Sequence, residues 1–167
     1  MIYKFLLLLS LFSLSQCRSV DPEIEPYIQD FKTEAKKFNI EVDDVELTAA
    51  KTTFANYKYD GYSIPNPFKP FIRVNTYWWD KYDSNTRRLL VFHECGHEFL
   101  GRLEHNNELT YEDWDPEHAY PLPKSIMNFQ GISEWQYEAH KECYLYELFN
   151  NRYSDDPKCS IFKKKNI

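Results

Sequence analysis

The sequence predicts an α+β domain, and three observations carry that expectation. Apolar residues recur at helical spacing from Tyr27 to Asn39 and again from Ser133 to Asn150. A third stretch, from Asp83 to Gly101, has cap residues at both ends. Between the first and third lie two short runs with strand character, Val45 to Phe54 and Phe71 to Asn75. The expected architecture is a small twisted sheet, a central helix and a C-terminal helix, with no internal repeat or low-complexity tract.

The first segment of the 167-residue chain is a targeting signal. Met1 to Lys4 supplies one positive charge, and Phe5 to Leu14 is apolar apart from Ser10 and Ser13, too short for the roughly 20 residues that span a bilayer. Residues 1–16 are therefore expected to be a signal peptide. Leu14-Ser15-Gln16-Cys17 resembles the bacterial lipobox, with Gln16 where that pattern has Gly, Ala or Ser. The resemblance implies lipidation of Cys17 and attachment to a membrane through that lipid; the other reading is a secreted protein cleaved nearby. Both place the mature chain outside the cytoplasm, with the cell envelope as the expected location. What remains after cleavage is about 150 residues, enough for one cored domain. Binding phosphates needs clustered Lys and Arg, and with a net charge of −6 and Lys163-Lys164-Lys165 read as a solvated tail, nucleic acid is not an expected partner. With 13 Tyr, 12 Phe and 4 Trp, an aromatic-rich core or cleft is expected.

Residues 17–26, with two prolines and little periodicity, read as a tether, and residues 27–167 as the functional domain. Tyr27, Ile28, Phe31, Ala35 and Phe38 form the apolar stripe of a first helix. The run Val45 to Phe54 is expected to pair with Phe71 to Asn75, across the proline-broken segment Ile64 to Pro70. Asp83-Ser84-Asn85-Thr86 offers several N-caps for the central helix, which Gly101 can end in the left-handed conformation.

Inside that helix stands His93-Glu94-Cys95-Gly96-His97, an H-E-x-x-H motif. Histidines four apart lie one turn above the other on one face, so both imidazoles can reach a single ion, and zinc is the metal such a pair favours. Glu94 is about 100° around the helix from His93, which makes it the candidate general base toward an activated water. Cys95 falls on the side of Phe92 and Phe99 and reads as a buried thiol, not a ligand. Gly96 costs about 1 kcal/mol in a helix interior and points to close approach of a neighbouring element.

His105 is the expected third ligand. Four residues from Gly101 reach roughly 13–14 Å when extended, so distance is not limiting. Glu104, His118 and, on the last helix, Glu138 are the competitors. Glu104 to Glu117 carries six acids and no Lys or Arg, and reads as a solvated loop, with a cleft border or a Ca²⁺ site as sharper alternatives. Ser133 and Gln136 form a capping box for the last helix, whose expected core stripe is Trp135, Ala139, Cys143, Tyr146 and Phe149. A Cys143–Cys159 disulfide is left open.

Taken together, Phe71-Ile72-Arg73-Val74, Trp78, Arg87-Arg88, Phe92 to His97, Leu100-Gly101-Arg102, His105 and Pro123-Lys124-Ser125-Ile126-Met127 resemble a metzincin-type zinc protease. The likeness is closer still to small bacterial metallopeptidase lipoproteins. It covers about half of the chain, from Phe71 to Phe149. It implies a metzincin-like zincin domain, Zn²⁺ held by His93, His97 and His105, catalysis by Glu94, a peptide or protein substrate, and a Met-turn in which Met127 floors the metal site. The spacing departs from the family pattern: Gly101 follows His97 by four residues and His105 follows it by eight, where the pattern has three and six. No Tyr stands two residues after Met127, since that position is Phe129. The competing reading is a non-catalytic surface lipoprotein that uses zinc for structure or for holding a partner.

Overall fold

The structure is a computed structural model that describes residues 20–42, 47–54, 58–66, 69–111, 121–128 and 131–163. The expected signal peptide, Cys17, Glu112 to His118 and Phe129 lie outside the described residues.

The main sheet has three strands, β1 (Thr48–Thr52), β2 (Gly61–Ile64) and β3 (Phe71–Asn75), in the order β1-β3-β2. β1 runs parallel to β3 with Ala49 opposite Ile72, the pairing expected from sequence, and β2 runs antiparallel on the other side with Gly61 opposite Val74. Alternation along β3 puts Ile72 and Val74 on one face, and both are fully buried. β2 is a strand that sequence reading missed. Its residues alternate between half-buried and exposed, so no apolar stripe marks it, and its place comes from backbone pairing with β3.

The described helices are α1 (Glu25–Lys37), α2 (Thr76–Trp79), α3 (Ser84–Leu100), α4 (Glu134–Asn150) and α5 (Ser160–Lys163), the last preceded by a 3₁₀ turn, Pro157–Cys159. β4 (Leu109–Tyr111) and β5 (Pro121–Pro123) form a separate antiparallel pair. This is an α+β arrangement. α3 lies at its centre, packed on α1, on β2 and on α4. Aromatic rings fill the contact: Phe31 of α1 meets Phe92 of α3 edge-on at 5.3 Å and Phe149 of α4 at 5.2 Å, while Phe38 stacks on Phe149 at 5.0 Å. The buried Arg88 of α3 bonds Asp30 of α1 and the Tyr137 hydroxyl of α4, which leaves its charge paired inside the contact.

Two expectations are corrected. The segment assigned as a tether, residues 17–26, is docked from Val20 onward: Val20 bridges Ala49, the Asp21 N–H donates to the Ala49 carbonyl at 2.7 Å, and Ile24 is fully buried. Its two apolar anchors are too sparse to register as periodicity. The stripe expected on α4 holds at Cys143 and Phe149 and fails at Trp135 and Ala139, which are exposed. His140 has non-helical angles (φ −130°, ψ 23°), and this kink shifts the buried face of the first turns to Gln136 and Tyr137. Cys143 and Cys159 are joined by a disulfide that pins the C-terminal segment to α4. Among the described residues no helix is long and apolar enough to cross a membrane.

Candidate metal centre

α3 owes its start and its end to single residues. The Asp83 carboxylate accepts from the Thr86 N–H at 2.8 Å and caps the first turn. Gly101 takes φ 63°, a left-handed conformation open to glycine without strain, and the chain turns back so that the Arg102 N–H reaches the Gly96 carbonyl at 3.1 Å. That reversal has a consequence for the site. It brings the Arg102 carbonyl onto Nδ1 of His97 at 2.5 Å and returns the chain toward His105.

His93 is oriented in the same way from another direction. Its Nδ1 lies 2.8 Å from the carbonyl of Ile126, in the turn that follows β5. A carbonyl can only accept, so both Nδ1 atoms carry the proton and both Nε2 atoms carry the lone pair. The two Nε2 atoms are 3.1 Å apart, and Nε2 of His105 is 3.1 Å from Nε2 of His93. One ligand atom from each of the three residues falls within 4.8 Å of the others. This is the group of histidine, cysteine and acidic side chains that can hold one metal ion among the described residues. Ligating nitrogens about 2.0–2.1 Å from a tetrahedral ion are about 3.3–3.4 Å apart, close to what is observed.

The three rings and Glu94 line one cleft of about 360 Å³, walled by residues of α3, β2 and the turn at Ile126. Glu94 is buried, and its Oε2 has no hydrogen-bond partner. Burial pushes its carboxyl up to about 8, helped by the like charges of Asp60 and Glu98 and opposed by the Ser63 hydroxyl. Burial likewise takes His93 down to about 3 and lowers His97 and His105. Three neutral nitrogen donors beside a buried acid with one oxygen unpartnered could hold a metal cation. A cation bound there would turn lone-pair repulsion into ligation and would favour the Glu94 carboxylate.

Two glycines keep this arrangement open. A Cβ at Gly61 of β2 would lie 2.7 Å from Glu94 Oε1, so the edge strand can pass the acid only because Gly61 has no side chain. A Cβ at Gly96 would lie 2.6 Å from the sulfur of Met127. Met127 is fully buried against α3 one residue from His97, so the neighbour expected at Gly96 is this methionine.

Other sequence candidates fall elsewhere. Cys95 is a free, fully buried thiol, pushed well up by burial, on the core side of α3. Glu104 is exposed, and Glu138 is exposed on α4, outside the metal group. Sequence reading missed Gly61 and Ser63, which sit on the strand it did not find, and Glu147, a lone acid with no motif around it. Comparison of the chain with protein-family models, with curated proteins and with solved structures finds no match.

Proposed function

We propose that the chain is a zinc-dependent peptidase of metzincin-like type, exported and held at a bacterial cell envelope by a lipid on Cys17. The observation that carries this reading is the convergence of three neutral imidazole nitrogens in a cleft whose wall also holds a buried carboxylate with one oxygen unpartnered. A three-histidine site that served structure alone would have no use for an acid whose burial is costly. Three protein ligands with a position left open is the pattern of catalytic zinc, whereas structural zinc is enclosed by four. Zinc bound there supplies a Lewis acid that polarises a scissile carbonyl and acidifies water.

The protein's own groups do the rest. Glu94 takes the proton of the attacking water and passes it to the leaving amine. It lines the same cleft as the three imidazoles, which puts it beside a water held there. Met127 supplies an apolar floor under α3. β2 pairs only with β3 among the described residues and borders the cleft, so its outer edge offers backbone groups to an extended peptide.

The test is Glu94→Gln. The variant should keep its zinc and lose turnover on an unfolded protein substrate by about 10²–10⁴-fold. If the wild type cleaves nothing across a broad peptide library, the non-catalytic zinc-binding lipoprotein takes its place.

A further inference from the structure

We propose that Glu147 of α4, which does not reach the metal site, is the positioning residue that fixes the geometry of all three histidines. The proposal rests on the metal-centre part of the reading above and adds what aims the ligands.

His93 and His97 are both oriented by backbone carbonyls, those of Ile126 and Arg102. Ring orientation is therefore set by where two loops lie, the turn at 124–128 and the return at 101–106. Both loops end on one carboxylate. Arg102 donates from Nη2 to Glu147 Oε1 at 2.5 Å, and its Nη1 donates to the carbonyls of Glu147 and Leu148 at 3.0 and 3.1 Å, capping the end of α4. On the other side the Ser125 hydroxyl donates to Glu147 Oε2 at 2.5 Å and accepts from the Met127 N–H at 2.9 Å. That serine hydroxyl thus folds the turn that carries the Ile126 carbonyl and the Met127 side chain. The third ligand is tied in as well: the Asn106 N–H, next to His105, donates to the Met127 carbonyl at 2.9 Å.

Each oxygen of Glu147 thus holds one of the two loops. Glu147 is 3% exposed, and burying an ion pair of this kind is seldom the most favourable way to stabilise a core. Its position as the link between the two orienting loops gives the charge a purpose. Arg88 with Tyr137 supplies the contrast, a buried network of similar make-up that touches neither loop.

The experiment uses the full chain as wild type, Glu147→Gln, Ser125→Ala and Tyr137→Phe. It measures zinc release to a chromogenic chelator and the visible absorption of the Co²⁺-loaded protein. Partners in the shell around metal ligands typically contribute 10–100-fold to affinity. One link further out, Glu147→Gln should speed zinc release about 10-fold and alter the Co²⁺ spectrum. Ser125→Ala should move both in the same direction by less, because it loosens the turn alone. Tyr137→Phe should lower the melting temperature and leave both unchanged. The proposal is overturned if Glu147→Gln releases zinc like the wild type with an unaltered spectrum, or if Tyr137→Phe reproduces the effect. Should Glu147→Gln fail to fold, Ser125→Ala against Tyr137→Phe gives the same decision. A wild type that binds neither metal sinks the metal-centre reading itself, and is told apart because every variant is then equally bare.

Discussion

At the residue scale the site is a problem of protons. The carbonyls at Ile126 and Arg102 assign the neutral tautomer of His93 and His97, and enclosure keeps both rings unprotonated below the ordinary imidazole range. Glu94 is displaced the other way, up to about 8 from 4.5, and Glu98 one turn on is pushed up to about 7 by burial. These shifts make stability depend on pH. Between pH 6.5 and 8 the unfolded histidines still release protons that the folded rings do not hold, which offsets part of the carboxyl slope. Glu94 and Glu98 then hold protons that the unfolded chain has released, so stability falls as pH rises. Metal-free protein is accordingly expected to lose about 1–2 kcal/mol between pH 6.5 and 8, read as a falling melting temperature. Zinc should flatten that slope, because a dication favours the Glu94 carboxylate. A metal-free protein whose melting temperature is level or rises over this range would contradict the raised carboxyls of Glu94 and Glu98. On the acid side His93 contributes with the opposite sign: below about 6.5 the unfolded chain takes up a proton that the folded ring refuses, and that contribution to stability is lost progressively as pH drops toward 3.

At the element scale α3 is both a core helix and the carrier of His93, Glu94 and His97, and Gly96 is where the two roles meet. Alanine is the better helix former by about 1 kcal/mol, yet its methyl would lie 2.6 Å from Met127 Sδ and 3.2 Å from Leu148 Cδ1. Met127 is enclosed, and its turn carries the Ile126 carbonyl that orients His93. Gly96→Ala is therefore expected to lower the melting temperature by an overpacking cost of about 1–3 kcal/mol, less the propensity gain, and to speed zinc loss. A variant that melts higher and keeps its zinc as the wild type does would show that the turn is free to move. α3 was legible because its start, its stop and its histidine pair are all local: Asp83, Gly101 and a four-residue spacing. Much the same holds for β3, where Ile72 and Val74 alternate with Phe71, Arg73 and Asn75. β2 was not legible, because an edge strand with a glycine at its start and a proline after it has no apolar stripe. The first turns of α4 were misread, since a single kink at His140 changes which residues of a helical pattern face inward. Glu147 was invisible for a third reason: its value comes from meeting Arg102 and Ser125, 45 and 22 residues away in sequence.

At the scale of the whole molecule the sheet, α1 and α4 hold α3 from three sides and leave the fourth to the cleft. The disulfide between Cys143 and Cys159 fixes the C-terminal segment to α4, the helix that carries Glu147. The docked stretch from Val20 extends the body of the domain to within three residues of Cys17 in sequence, so a lipid there would hold the domain close to its membrane. The site needs the three histidines to act together, and His105, eight residues after His97, is the member that does not share their helix. The structure brings His105 to within 3.1 Å of His93 by way of Gly101, the Arg102 return and the Asn106–Met127 bond. The most direct measurement is the zinc content of the full chain purified without chelator, set beside His105→Ala, His118→Ala and Glu138→Ala made separately. The three-histidine site predicts about one zinc per chain in the wild type, the same in His118→Ala and Glu138→Ala, and loss of tight binding in His105→Ala. Wild-type protein that carries no zinc, or a His105→Ala variant that holds it as tightly while one of the others does not, would contradict it.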